Sequence, residues 1–365
     1  VEVRQENVPL PAPAPAAARR IPVWKKLLFA LVPCVVVFAL AEIVCRVTGA
    51  GAPEISPPSP PDVKEVRLTA PDGRESVYKE SVYVGQPVRT NEKGFRDWLY
   101  ETANAEGALR LAAVGDSFTF GDGLAQADTW LARLGDELTP RLPAGRTLRT
   151  MNFGRRGANT ADEVSMLEGH VLPFRPDAVV LGFTVFNDAE TTVTKVAATK
   201  AVAAREQSAA WKTMRWLHDA SWAVNFVSDR LRRGRKRSDM AAHVAAEYAD
   251  AAPGWVECRA SLGKFAAACR DAKVPLVVVL FPVHHRDPSL NDWAHYEFRG
   301  VHDQVRAALS PWQEAVVVDM TDHLADLSGR RIWIEGNGHP DAEYARRVAA
   351  ALVDPVARAL QLPPR

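Results

Sequence analysis

The sequence predicts an α/β domain on a parallel, doubly wound sheet, carried behind one N-terminal transmembrane helix. Two observations lead there. Five short apolar runs alternate with segments of helical periodicity, and one stretch near the N-terminus carries no charge. The runs are Leu109–Val114, Thr147–Phe153, Ala178–Phe183, Pro275–Phe281 and Glu314–Asp319. They are nearly continuous in Val, Leu and Ala, as strands covered on both faces are. Helical patterns such as Trp130–Leu142 and Trp255–Ala272 separate them, and this alternation implies a parallel sheet. A last helix opens at Pro340-Asp341-Ala342-Glu343, with Pro in its first turn and acids beside it.

The uncharged stretch runs from Leu27 to Ala41, and extending it to Val47 admits only Glu42 and Arg46. That makes residues 27–47 about the ~20 residues a spanning helix needs. Arg46 can snorkel to the interface, with Glu42 one turn away. A secretory signal cut near Ala50-Gly51-Ala52 is the competing reading. The long leader and the Glu42/Arg46 pair favour an uncleaved anchor. Residues 1–26 hold Arg4, Arg19, Arg20, Lys25 and Lys26 against Glu2 and Glu6, and are Pro/Ala-rich from Pro9 to Ala18. They read as a disordered cytoplasmic tail, with the remainder outside, periplasmic or extracellular.

Residues 48–88 read as linker and lead-in, with a polyproline tether from Gly51 to Pro61. Residues 89–365 form the main domain, and about 190–250 is too long for a simple crossover. That interval reads as an inserted helical hairpin bearing Trp211, Trp216, Trp222 and Phe226, closed by the basic run from Arg230 to Arg237. It suits either an amphipathic cap or a lid or membrane-surface element.

The 47% hydrophobic and 24% charged composition is ample for a buried core. A formal net charge of +1 argues against nucleic acid as the main partner. Cys258 and Cys269 are eleven residues apart on one expected helix. A rise of ~1.5 Å per residue separates them by ~16 Å, too far for a disulfide. Both therefore read as core residues.

Ligands bind parallel sheets at the carboxyl ends of the strands, so the residues after each run carry the chemistry. Run one ends in Gly115-Asp116-Ser117, which exposes a hydroxyl where strand meets helix, beside amides able to hold an oxyanion. Taken alone, Gly-Asp-Ser is equally a turn and helix cap. Run two ends in Asn152-Phe153-Gly154-Arg155-Arg156-Gly157, and run three leads to Asn187-Asp188. Near the C-terminus come Glu335-Gly336-Asn337-Gly338-His339-Pro340.

Together these blocks resemble the SGNH/GDSL hydrolase family: Gly-Asp-Ser, then Asn-x-Gly-x-x-Gly, then Asn-Asp, then a terminal acid followed by His-Pro. The lead-in Asn91-Glu92-Lys93-Gly94-Phe95-Arg96 and the anchor resemble membrane-bound bacterial members. The resemblance spans roughly residues 89 to 353. It implies a three-layer, flavodoxin-like fold with a central five-stranded parallel sheet. Ser117 is implied as nucleophile, His339 as general base, and Ser117 N–H, Gly157 N–H and the Asn187 amide as the oxyanion hole. One departure stands out. The family places Asp two or three residues before the histidine, where this chain has Asn337 and Gly336, with Glu335 the nearest acid. Glu335 replaces that Asp, or a carbonyl orients His339 in a Ser–His dyad, or activity is lost.

The implied reaction is hydrolysis of an O-acyl ester on a lipid or carbohydrate through an acyl-enzyme. Acyl transfer to an envelope polysaccharide and an inactive binding or scaffold protein are the alternatives. His284 and His285 follow run four and read as pocket lining. No cofactor and no metal are expected.

Overall fold

The five apolar runs form one parallel sheet. Its strands are β4 (Leu109–Gly115), β5 (Leu148–Gly154), β6 (Ala178–Thr184), β7 (Leu276–Phe281) and β8 (Val316–Asp319), in the order β5-β4-β6-β7-β8. Numbered from β4, this is the 2-1-3-4-5 order of flavodoxin-like sheets, and the connections reverse direction between β4 and β6. Every residue of β6 and β7 is buried, because helices cover both faces.

The structure, a computed structural model, describes residues 22–51 and 63–364, apart from 71–72, 74, 84, 101, 105–106, 192–199, 201–203, 286 and 335–336. Residues 1–21 of the expected N-terminal tail and nearly all of the polyproline tether lie outside the described residues, while Val23 to Lys26, expected in the tail, form the first turn of a helix. The chain divides into two units: Val1–Pro53 with Thr213–Arg230, and Glu54–Lys212 with Leu231–Arg365.

In the second unit, α3 (Trp130–Leu138) packs on α9 (Ala342–Ala359), which also lies along β6, β7 and β8. A second group joins α4 (Thr160–Met166), α7 (Pro253–Asp271) and α8 (Arg299–Leu309). Cys258 and Cys269 are buried free thiols on α7. Pro340 is not in the first turn of α9: Asp341 caps that helix by accepting from Tyr344 N, and Pro340 precedes the cap, bridged to Trp333.

Residues 64–90 correct the expectation of a linker. They form a three-stranded antiparallel sheet, β1 (Lys64–Thr69), β2 (Glu75–Tyr83) and β3 (Gln86–Thr90). In these strands only Tyr78 and Val88 are buried, so no apolar alternation marks them in the sequence. The following Asn91–Arg96 segment is a tight turn. Asn91 Oδ1 accepts from Lys93 N and Phe95 N, and the turn delivers the fully buried Arg96 to the Gly121 and Leu124 carbonyls. Burial lowers the Arg96 pKa to about 10.

In the first unit, α1 (Val23–Thr48) is long and apolar enough to cross a membrane. It is joined there by parts of α5 (Ala209–Ala220) and α6 (Trp222–Glu247), the helical insertion.

Three glycines stand in one row at the carboxyl ends of β5, β4 and β6: Gly154 pairs with Gly115, and Gly115 with Gly182. The short helix α2 (Ser117–Phe120) rests directly on this row. A Cβ on Gly154 would fall on the Phe120 amide, and one on Gly115 would lie 2.9 Å from the Gly182 carbonyl oxygen. Backbone cannot yield as a flexible side chain does. We therefore expect Gly154→Ala to destabilise the folded protein by about 1–3 kcal/mol, the usual cost of overpacking a close contact. Thermal unfolding in detergent measures it, and an unchanged Tm would contradict the packing described.

Candidate active site

The row of glycines sets the position of Ser117. It opens α2 immediately after β4, and Asp116 caps the helix by accepting from Phe118 N at 2.8 Å. The other Asp116 oxygen accepts from the Asn187 side-chain amide. Asn187 sits in the turn after β6, held by Asn187 N donating to Thr184 O at 3.0 Å. A side-chain amide has two N–H donors, of which Asp116 takes one. The switch point between β4 and β6 thus brings Ser117 and Asn187 together, as the topology requires.

The β5 end contributes a third element. Arg155 N donates to Gly115 O at 2.9 Å and Ala158 N to Arg155 O at 3.1 Å, closing a turn with Gly157 at φ +69°. Only glycine takes that conformation without strain. Asn152 steadies the neighbourhood: its amide donates to Thr119 O at 2.9 Å, while its Oδ1 accepts from Gly154 N at 2.8 Å.

His339 arrives from the loop before α9. Ile334 N donates to His339 O at 2.8 Å and Gly338 N to Ile334 O at 3.0 Å, with Gly338 at φ +77°. This loop sets His339 Nε2 2.9 Å from Ser117 Oγ. The other ring nitrogen, Nδ1, is hydrogen-bonded to Asn337 Oδ1. An acceptor there holds the neutral ring with its proton on Nδ1 and leaves Nε2 as an acceptor facing Ser117. Glu335, the other candidate partner, lies outside the described residues.

A carboxylate nevertheless stands beside the ring. Asp122, almost fully buried on the loop after α2, places Oδ2 3.8 Å from His339 Nε2. Its Oδ1 accepts from Arg156 Nε at 2.6 Å. Arg156 is in turn stacked between Tyr83 of β2 and Phe120, at 4.5 and 4.7 Å from their ring centres. Burial pushes the His339 pKa below its ordinary value, Asp122 pulls it back up, and Arg156 pushes it down. The sequence reading missed Asp122, Arg156 and Tyr83. Asp122 and Arg156 stand five residues beyond Ser117 and one before Gly157, so proximity within the motifs was the available signal.

His284 and His285 are held by other partners. His284 stacks on Trp333 at 4.6 Å, and the buried His285 pairs with Glu297. Among the described residues no group of three His, Cys, Asp or Glu is placed to hold a metal ion.

No curated protein sequence matches the chain. Among solved structures it is similar to LAE5, an alpha/beta hydrolase enzyme from the metagenome of Lake Arreo, Spain, at 17% identity over 70% of this chain and 97% of that one, TM-score 0.41. It is similar to a catalytic mutant of Axe2, an acetylxylan esterase from Geobacillus stearothermophilus, at 14% identity over 70% and 96%, TM-score 0.40. A member of the lipolytic protein G-D-S-L family from Veillonella parvula DSM 2008 is similar at 13% identity over 69% and 100%, TM-score 0.39. The profile of the GDSL-like lipase/acylhydrolase family matches residues 113–347, a span that includes Ser117, Gly157, Asn187, Asn337 and His339, and the chain belongs to that family of ester-bond hydrolases.

Proposed function

We propose that this protein is a membrane-anchored serine esterase, acting outside the cytoplasm on an O-acyl ester of a lipid or carbohydrate. The observation that carries the reading is the 2.9 Å contact between Ser117 Oγ and His339 Nε2, with Nδ1 of the same ring engaged by Asn337. A serine hydroxyl is a weak nucleophile until an adjacent base takes its proton, and this contact is within proton-transfer reach. The apolar helix α1 and the basic residues preceding its apolar core support the anchored, outward-facing topology.

In this reading Ser117 Oγ attacks the ester carbonyl as its proton passes to His339 Nε2. Ser117 N–H, Gly157 N–H and the second Asn187 N–H receive the tetrahedral oxyanion. Collapse expels the alcohol, which takes the proton from His339 and leaves an acyl group on Ser117. Water, deprotonated by the same imidazole, then releases the acid and restores the serine.

Asn337 fixes the ring but cannot neutralise the imidazolium formed in each half-reaction. Asp122 supplies that charge from the Nε2 side. Arg156 moderates it, so the imidazolium is stabilised less than by an unpaired carboxylate. Loss of a triad acid costs ~10⁴ when the tautomer is lost with it. Here the Asn337 oxygen keeps the tautomer and Asp122 keeps a charge nearby.

Turnover of p-nitrophenyl acetate by the full chain in detergent tests the reading. Ser117→Ala should lower kcat by ~10³ or more. Equal turnover by the two proteins would remove Ser117 from the reaction.

The pH profile tests the electrostatics. His339 works as the neutral base, so kcat/KM rises with pH through its pKa. Burial lowers that pKa, which puts the acid limb below the ~6.5 of a free imidazole. Asp122→Asn removes a charge that favours the imidazolium, so the limb should move lower still and the plateau should fall. Arg156→Gln should move the limb upward, as should Asn337→Asp, with the plateau of the latter maintained or raised. Limbs coincident with wild type in all three variants would refute the assignment of these charges.

A further inference from the structure

The helical insertion makes a contact that the chemistry above leaves unused. Within the first unit, Glu42 near the end of α1 accepts from Ser221 Oγ at 2.8 Å, Trp222 N at 3.2 Å and Ala223 N at 3.0 Å. Its carboxylate therefore caps the N-terminus of α6, where the first amides have no partner within the helix. Arg46 completes the joint: its Nε donates to Glu42 at 2.7 Å, its Nη2 to Ala220 O at 3.1 Å, and it lies over the Trp222 ring at 5.8 Å. Gly51, at φ +71°, is packed so closely that a Cβ would lie 2.8 Å from Phe226 N. The α5–α6 turn is thus locked to the end of α1.

From this joint we infer that residues 213–230 form a membrane-interface element, whose partner is the headgroup layer of the bilayer that α1 crosses. The inference rests on the anchored reading of α1. From Lys26 to Glu42 the helix rises ~24 Å at ~1.5 Å per residue. Against an acyl core of ~30 Å, this leaves Glu42 within ~6 Å of the far boundary, about one helical turn from the headgroups. Whatever Glu42 caps is held at that depth. The turn it caps presents the side chains that this depth favours: Met214, Trp216 (66% exposed), Phe226 and Val227 (53% exposed) are exposed, with Arg215 and Arg230 exposed beside them. Large apolar groups flanked by basic ones are unfavourable in water and suited to the boundary between acyl chains and headgroups. A carboxylate near the membrane also needs partners of its own, which the Ser221 hydroxyl and two helix amides provide.

Full-length protein in nanodiscs of phosphatidylethanolamine and phosphatidylglycerol provides the test. In a Cys34→Ala, Cys45→Ala background, single cysteines replace Met214, Trp216, Phe226 or Val227 and carry a fluorophore, with Leu40→Cys as the reference in α1. Nitroxide lipids labelled near the headgroup should quench the four insertion sites about twofold, and aqueous iodide should quench them weakly. Acyl-chain nitroxides should quench Leu40→Cys. If Leu40→Cys is quenched while the insertion sites respond to iodide alone, the interface element is refuted and the anchor stands. Insertion sites shielded from both quenchers would show a protein partner or a second copy in place of lipid, and would also refute it. An unquenched Leu40→Cys would remove the anchor itself. Glu42→Gln should weaken lipid quenching at the insertion and spare Leu40→Cys. Where that variant fails to assemble, the labels on the Glu42 protein decide the matter.

Discussion

The structure turns on one close approach, that of helix α2 to the carboxyl end of the sheet. Gly154, Gly115 and Gly182 form a row without side chains, and α2 settles onto it. Everything at the site is measured from there. Asp116 links α2 to Asn187 after β6, and Arg155 N ties the Gly157 turn to Gly115. Arg96 secures the loop after α2 from beneath, through the Gly121 and Leu124 carbonyls. A helix raised by one methyl group would carry Ser117 away from an imidazole that is positioned independently, by the loop before α9.

The electrostatics of the site follow from a substitution and a neighbour. Where the family has an acid before its histidine, this chain has Asn337, which accepts the Nδ1 proton without contributing charge. Among the described residues, the carboxylate beside the ring is that of Asp122, 3.8 Å from Nε2 and shared with Arg156. In the proposed mechanism, orientation and charge compensation, which one carboxylate usually combines, are divided between two residues. A buried imidazole with its pKa pushed down remains neutral at lower pH.

The sheet was legible in the sequence because its strands are buried on both faces. The runs at Ala178–Phe183 and Pro275–Phe281 differ from β6 and β7 by a residue at one end each. Boundaries shifted where burial is partial, as at β8, which begins at Val316 rather than Glu314. β1 to β3 were illegible because two buried residues, Tyr78 and Val88, cannot produce an alternation. At the site, Ser117, Asn337 and His339 stand out by motif, while the charge at Asp122 needs three dimensions to be recognised. Glu42 shows the same limit. Its position beside Arg46 was visible, but its partners lie about 180 residues away along the chain.

Ser117 as the atom that carries the acyl group is the claim on which the function depends. The most direct measurement is peptide mapping by mass spectrometry after the full chain, in detergent, has reacted with a fluorophosphonate. Phosphonylation of the peptide containing Ser117, and its loss in His339→Ala, are expected. An adduct on another serine, or none in a protein that hydrolyses p-nitrophenyl acetate, would contradict the account.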